Sequence, residues 1–251
     1  MRLLSIIVAA LVAGCGGGAG SPPPAALGDP GAGDPGTGAG DLGSPVASDA
    51  GLTPPDDLAK PPPPPVKKVL NFVWQGEADY YMCGPSAARM ALSARLSNLP
   101  SQQELANYMG TTTDGTDYVG LVRNALNHYL NISSYAETDL PGDPPSAAQQ
   151  VALKKALVDS IDGGYGLVAN VVSGWRPPGY PPSGTIYHYV AVVGYDASGD
   201  KVLIADPAAT GCGNGECGNS GSEWYNLPKS YWINTSDLGE WITPKGYTFH
   251  P

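Results

Sequence analysis

The aromatic residues of this chain are confined to one part of it, which limits where a folded domain can be. All five tryptophans and all fourteen tyrosines lie between residues 66 and 251. Residues 16–66 are mostly Gly, Pro, Ala, Ser and Asp, a composition that buries too little apolar surface to offset the entropy lost on folding. We therefore predict a disordered tether over residues 16–66 and one folded domain over residues 67–251, long enough for a real core.

The first fifteen residues have the pattern of an export signal. Arg2 gives a positive start, residues 3–13 form a short apolar core, and Cys15 follows small residues. The apolar core is too short to span a bilayer as a helix, so the pattern predicts a secretory signal peptide over residues 1–15.

Residues 12–15, Val-Ala-Gly-Cys, also resemble a bacterial lipobox, which implies that Cys15 becomes lipid-modified. A plain signal peptide with a coincidental cysteine is the alternative. We expect an exported domain that Cys15 anchors to the cell envelope, on the outer membrane if the organism has two membranes. The domain would then lie in the periplasm or at the cell surface.

The charge of the chain bears on its partners. The net charge is −10, shared between the tether and the folded domain, and no basic stripe is present. Nucleic-acid backbones are bound by clustered Lys and Arg, so nucleic acid is not an expected partner. No motif suggests a metal, a nucleotide or another cofactor, and we expect a monomer that needs none.

Helical periodicity precedes strand periodicity along the folded domain. Helices are predicted over residues 85–96, 101–110, from Thr116 or Asp117 onward, and 146–161; strands are predicted over Leu167–Val172, Tyr187–Tyr195 and Val202–Ala205. Residues 227–233 are interpreted as a short helix that packs Trp232 onto the sheet. Helices followed by strands predict an α+β domain in which an N-terminal helical part packs on an antiparallel β-sheet.

The four cysteines can be divided by their surroundings. Cys212 and Cys217 lie in a Gly-rich loop, and in an oxidising compartment a disulfide between them is the expected pairing. A zinc site is the alternative, but it needs two further ligands, and no histidine is nearby in the sequence. With Cys15 lipid-modified, Cys83 is the odd thiol.

Cys83 stands at the predicted start of a helix, followed by Gly84 and Pro85. Unpaired N–H groups and the positive end of the helix dipole favour an anion there, which lowers the pKa of a thiol and activates it as a nucleophile. The amide of Cys83 is also a candidate donor to an oxyanion. The alternative is a buried structural cysteine.

A thiolate enzyme also needs an imidazole, and His188 is the candidate among three histidines because it opens an apolar strand. Asp206 ends the strand that follows through a hairpin, so the two side chains are expected to be neighbours, with the carboxylate orienting the imidazole. The alternatives are a hydrogen-bonded core histidine and a turn-forming Asp-Pro.

These residues resemble a known family in their order along the chain. Gln75, Cys83-Gly84-Pro85-Ser86, His188-Tyr189-Val190 and Ala205-Asp206-Pro207 are similar to the papain-like family that includes the bacteriocin-processing, double-glycine leader peptidases. The resemblance covers residues 70–207.

The resemblance implies a papain-like fold with Cys83 as nucleophile, His188 as general base, Asp206 as the residue that orients it, and Gln75 as the oxyanion-hole side chain. Gln75 stands eight residues before Cys83, whereas papain has six. Cleavage after a double glycine is not implied, because this chain has no transporter segment.

Three functions remain open at this point. The first is a thiol-dependent hydrolase that cleaves peptide bonds of a peptide or protein outside the cytoplasm through an acyl-enzyme. The second keeps the acyl-enzyme and transfers the acyl group to an amine or a thiol. The third is a catalytically silent module that binds peptide or cell-wall material; the intact set of cysteine, histidine and aspartate favours the first two.

Overall fold

The computed structural model describes residues 66–172, 174–180, 184–209 and 227–251. The signal peptide, the tether, Cys15, Cys212 and Cys217 lie outside the described residues, so the predictions made for them stay predictions. The strands are β1 Lys68–Val69, β2 Ala136–Asp139, β3 Leu167–Val172, β4 Tyr187–Asp196, β5 Lys201–Ala205, β6 Ser230–Asn234 and β7 Gly246–Phe249. The helices are α1 Cys83–Leu92, α2 Gln102–Met109, α3 Val119–Leu130, α4 Ala147–Asp162 and α5 Thr235–Ile242.

The strands form one antiparallel sheet. Its order is β2-β7-β3-β4-β5-β6, and β1 pairs with the end of β4. The centre consists of β3, β4 and β5, the three strands predicted from the sequence, and every pairing between them is antiparallel. The predicted α+β class is confirmed, and helices cover both faces of the sheet.

Each face of the sheet has its own apolar core. On one face α1, α2 and α3 pack against the strands, with Leu105, Leu126 and Tyr189 fully buried between them. On the other face α4 and α5 pack through side chains such as Leu157 and Trp241. The central strands are therefore apolar on both sides, which explains why β4 reads as a continuous hydrophobic run.

The predicted bounds of α2 and α4 agree with their capping chemistry, whereas the helix predicted over residues 85–96 begins and ends earlier, at Cys83–Leu92. Ser101 caps α2 and Ser146 caps α4, each in a reciprocal capping box with the residue three positions later. Gly110 ends α2 with φ of 67°, a left-handed conformation that favours glycine. For α3 the prediction was early, since its N-cap is Tyr118 rather than Thr116 or Asp117.

The helix predicted over residues 227–233 is wrong. This segment forms strand β6, whose Tyr231 pairs with Ile204 of β5 and whose Trp232 is 37% exposed rather than packed on the sheet. The physical reason is that the edge of β5 has unpaired backbone groups, and a β-branched and aromatic segment satisfies them by extending alongside.

Gly84 lets the start of α1 approach the segment before α3. A Cβ atom on Gly84 would lie 2.4 Å from Oγ1 of Thr116. Thr116 is itself buried and shares a hydrogen bond of 2.7 Å with Thr111. The first turn of α1, which begins at Cys83, therefore packs closely against Thr116.

None of the helices in the described part of the chain has the length and apolarity that crossing a membrane requires.

Candidate active site

Cys83 is the first residue of α1 and is fully buried. The first turn of α1 contains no acidic residue, so the positive end of the helix dipole is not neutralised within the helix. The sulfur, one ring nitrogen of His188 and one carboxyl oxygen of Glu77 lie within 4.8 Å of one another. The structure thus brings together the predicted nucleophile and base, and adds a carboxyl group.

His188 and Asp206 form the contact that the hairpin predicts. Nε2 of His188 lies 2.9 Å from Oδ1 of Asp206, and both side chains are buried. With Nε2 bonded to the carboxylate, proton exchange with the sulfur would use Nδ1.

The carboxylate of Asp206 is held by several donors besides the histidine. The backbone N–H of Ala208 donates to Oδ1 at 2.9 Å, and the hydroxyl groups of Tyr180 and Tyr231 donate to Oδ2, the latter at 2.6 Å. Burial raises the pKa of both tyrosines well above its usual range, so they keep the protons that they donate. Neither tyrosine was identified from the sequence.

Burial and charge act in opposite directions on the pair. Burial alone would raise the pKa of Asp206, but the charge of His188 and the hydrogen bonds from His188, Tyr180 and Tyr231 hold it below its usual range. Burial alone would lower the pKa of His188, but the charge and the hydrogen bond of Asp206 outweigh it and raise the pKa. The site therefore stabilises an imidazolium beside the sulfur, as a thiolate enzyme requires.

The segment Gly76–Ala78, just before α1, is fastened by Gln102, a nearly buried side chain at the start of α2. Its Nε2 donates to the carbonyl of Gly76 at 2.8 Å, and its Oε1 accepts from the N–H of Ala78 at 2.9 Å and from Oγ of Ser86 at 2.7 Å. The sequence placed Gln102 only within a capping box, because no local pattern shows that its side chain faces inward.

Gln75, the predicted oxyanion-hole side chain, is placed beside the middle of α1. Its Oε1 accepts a hydrogen bond from Nη1 of Arg89, and Arg89 also donates from Nε to the carbonyl of Pro100 at 2.6 Å. Arg89 follows Cys83 by six residues, about 9 Å along the helix axis. The oxyanion role of Gln75 stays a prediction.

The state of the sulfur differs from the free thiol that the sequence predicts for Cys83, because Cys83 is disulfide-bonded. Cys83 is the only cysteine among the residues that the structure describes. Carboxylate, thiolate and imidazole groups also bind zinc, but a disulfide sulfur is not the thiolate that a metal needs. We therefore assign no metal to this group of side chains.

A cysteine at a helix N-terminus beside a histidine–aspartate pair on the sheet is the arrangement of a papain-like cysteine peptidase. Residues 66–237 match the Peptidase_C39 like family. This match spans more than half of the chain, so the chain belongs to that family. It is a cysteine peptidase, a hydrolase, as the sequence predicts.

Solved structures with a likeness to this chain include three peptidases. One is the peptidase domain of Streptococcus ComA, a bi-functional ABC transporter involved in a quorum sensing pathway, with 18% identity over 72% of this chain and 98% of that chain and a TM-score of 0.42. Another is a double glycine motif protease from an AMS/PCAT transporter in complex with the leader peptide, with 14% identity over 73% of this chain and 94% of that chain and a TM-score of 0.43. The third is Xylellain, a cysteine protease from Xylella fastidiosa, with 15% identity over 74% of this chain and 85% of that chain and a TM-score of 0.43. No curated protein matches the chain.

Proposed function

We propose that this chain hydrolyses peptide bonds outside the cytoplasm through an acyl-enzyme, with Cys83 as nucleophile, His188 as general base and Asp206 as the residue that orients the histidine. The observation that supports this most directly is the position of the His188 ring. One of its nitrogens lies within 4.8 Å of the Cys83 sulfur, while Nε2 is bonded to the buried Asp206.

The reaction begins with reduction of the disulfide at Cys83 by a dithiol, which supplies two electrons and returns the sulfur to a thiol. His188 takes the thiol proton, and the thiolate attacks the carbonyl carbon of the peptide. The C–N bond then breaks, and the leaving amine takes the proton from the imidazolium. Water, deprotonated by His188, hydrolyses the thioester, and the thiol regains its proton.

The proposed substrate class is a peptide or protein, as family membership supports. The test uses the full chain, reduced with a dithiol, and a peptide library whose products are read by mass spectrometry. We expect cleaved peptides with free carboxyl ends from the wild-type chain and none from Cys83→Ala. Products joined to added amines, without free acid, would indicate an acyl transferase instead.

Thiol labelling separates an enzyme from a silent binding module. We expect iodoacetamide to alkylate Cys83 of the reduced chain at neutral pH much faster than it alkylates a free cysteine, because the thiolate is stabilised by the helix and by His188. Alkylation at the rate of a free thiol, together with no cleavage in the library, would contradict the proposed function.

We also propose that Cys15 anchors the domain to the cell envelope. In bacteria that produce the full chain, we expect a radioactive or clickable fatty acid to label the protein and the protein to sediment with membranes. Cys15→Ser should lose both properties, whereas the control Cys83→Ser should keep both. Persistent labelling of the Cys15→Ser chain would contradict the anchor at this residue.

A further inference from the structure

Glu77 is a buried carboxyl group in the site to which the proposed reaction gives no role. Its side chain is almost completely buried, and one of its oxygens lies within 4.8 Å of both the Cys83 sulfur and a His188 ring nitrogen. Its Oε2 is buried and has no hydrogen-bond partner among the residues that the structure describes. Burying a polar atom without a partner costs free energy, so the presence of the Glu77 carboxyl group at this position calls for an explanation.

The backbone around Glu77 is held on both sides. The N–H of Glu77 donates to the carbonyl of Pro207 at 3.1 Å, which ties it to the residue after Asp206. The two neighbours, Gly76 and Ala78, are both bonded to the side chain of Gln102 at 2.8 and 2.9 Å. The carboxyl group is therefore presented from a fixed segment, which is what a preorganised donor needs.

The charges that face Glu77 favour its neutral form. Burial raises its pKa to about 8; the charge of His188 opposes this shift, and the charges of Asp206 and Asp79 add to it. A thiolate at Cys83 would add another negative charge within 4.8 Å and would favour the neutral form further. At neutral pH and below, Glu77 is therefore mainly a carboxylic acid with an O–H to donate.

We propose that Glu77 is a catalytic residue of the proposed peptidase: its carboxylic acid donates a hydrogen bond to the substrate carbonyl oxygen while Cys83 attacks the adjacent carbon. The O–H acts together with the amide of Cys83, keeps its proton throughout and leaves the balance of the reaction unchanged. A preorganised donor aimed at developing negative charge is worth about 10²–10³ in rate. This inference rests on the proposed function and places the donor on Glu77, whereas the sequence suggests Gln75.

The first experiment measures kcat/KM of the reduced full chain between pH 5 and 10. The wild-type chain should lose activity as pH rises through about 8, because ionised Glu77 no longer donates. Glu77→Ala should lose about 100-fold at pH 6. Glu77→Gln, which has an amide donor that does not ionise, should recover most of that loss and shift the alkaline limb to higher pH. Two results would overturn the assignment. One is an alkaline limb of the pH profile that lies at the same pH in Glu77→Gln as in the wild-type chain; the other is a 100-fold loss of kcat/KM in Gln75→Ala but not in Glu77→Ala.

Asp79→Asn is the matched control, because it removes a carboxylate from the same segment without touching the donor. Its alkaline limb should remain and move to slightly lower pH, since the charge of Asp79 raises the pKa of Glu77. An Asp79→Asn profile whose alkaline limb moves to higher pH, as that of Glu77→Gln should, would mean that general charge in the loop, not an O–H at Glu77, sets the profile.

The second experiment separates oxyanion binding from an effect on the sulfur. A peptide aldehyde forms a hemithioacetal with Cys83 whose oxygen occupies the oxyanion position, so Glu77→Ala should weaken its binding about 100-fold. Alkylation of Cys83 by iodoacetamide involves no oxyanion and should change less than about 3-fold at pH 6. Equal aldehyde affinity in both chains would overturn the inference.

The two proposals fail in different ways. If the reduced wild-type chain and Cys83→Ala both cleave nothing, the proposed function fails, and aldehyde binding still tests the donor. If the wild-type chain cleaves peptides and Glu77→Ala is equally active, the function stands and the inference about Glu77 fails.

Discussion

The carboxylate of Asp206 accepts four hydrogen bonds from described residues, namely His188, Ala208, Tyr180 and Tyr231. These bonds keep the carboxylate ionised although it is fully buried. At the scale of single residues, the site therefore depends on side chains that act on His188 through the carboxylate of Asp206. The two tyrosines stabilise the carboxylate, which in turn stabilises the imidazolium of His188.

This network predicts a graded series of rates. Asp206→Asn should lower kcat by roughly 10³-fold or more, because an amide neither fixes the tautomer of His188 nor stabilises its charge. Tyr231→Phe removes one of two donors to Oδ2 and should lower kcat about 3- to 10-fold, with a stability loss of about 1–3 kcal/mol. Steady-state kinetics and urea unfolding measure the two effects. A Tyr231→Phe loss as large as that of Asp206→Asn would contradict this division of roles.

The buried carboxyl of Glu77 also predicts a pH dependence of stability. The pKa of Glu77 rises from 4.5 to about 8 in the folded chain, so the folded state holds this proton over a range in which the unfolded chain has lost it. The resulting contribution is full below about pH 4.5 and decreases as pH rises towards 8, on the order of 5 kcal/mol in all.

The measurement compares unfolding free energies of wild-type and Glu77→Gln chains at pH 5 and pH 8, without reductant. The wild-type chain should lose more stability than the variant, whose amide does not titrate. Equal losses in the two chains would mean that Glu77 is ionised in the folded protein, and they would also weaken its assignment as a donor.

The sequence identified Cys83, His188 and Asp206 because each stands next to a local signal, namely a helix start, a strand start and a strand end. Glu77, Tyr180 and Tyr231 have no such signal. Tyr180 reaches Asp206 because its ring packs between His188 and Trp241, a contact between segments that are distant in sequence. For Glu77 the usable signal is its place six residues before Cys83 in the same segment, nearer than Gln75.

At the scale of elements, periodicity predicted α1, α2, α3 and α4 and the three central strands, since these are long enough to show their apolar pattern. The short strands β1, β2 and β7 were not predicted. Gly194 illustrates why: a Cβ there would lie 2.8 Å from the carbonyl oxygen of Lys68. The glycine therefore allows β1 to pair closely with β4, and this pairing joins segments too far apart in sequence for a local sequence pattern to show it.

Gln102 joins α2 to the segment before α1 and gives an element-scale prediction. Gln102→Ala releases Gly76 and Ala78 together, so Glu77 should lose its position while Cys83 stays on α1. We expect kcat to fall roughly 10- to 100-fold with little change in KM, and the alkylation rate of Cys83 to stay within about 3-fold, since alkylation needs no oxyanion donor.

Gln103→Ala is the control, because Gln103 is exposed and bonds only to Asn107 among the described residues. It should leave kcat unchanged. If Gln102→Ala lowers the alkylation rate as much as kcat, then Gln102 supports the start of α1 as a whole and not the segment that contains Glu77.

At the scale of the whole molecule, one disulfide decides whether the site can react. Cys83 is disulfide-bonded, and a nucleophile in this state has no thiolate. The chain should therefore be inactive as isolated under oxidising conditions and should gain activity with added dithiol, in step with the appearance of one alkylatable sulfur at Cys83. Mass spectrometry of the labelled protein counts that sulfur, and the peptide library measures the activity.

A chain in which Cys15, Cys212 and Cys217 are all replaced by Ser isolates the cause. The sequence has four cysteines, so this variant leaves Cys83 without an intramolecular partner, and it should be active without reductant. Reductant should then add less than about 2-fold, because no intramolecular disulfide remains to be opened. Full activity of the oxidised wild-type chain would contradict a disulfide at Cys83, whereas an inactive triple variant that dithiol activates would mean that the sulfur pairs with another molecule.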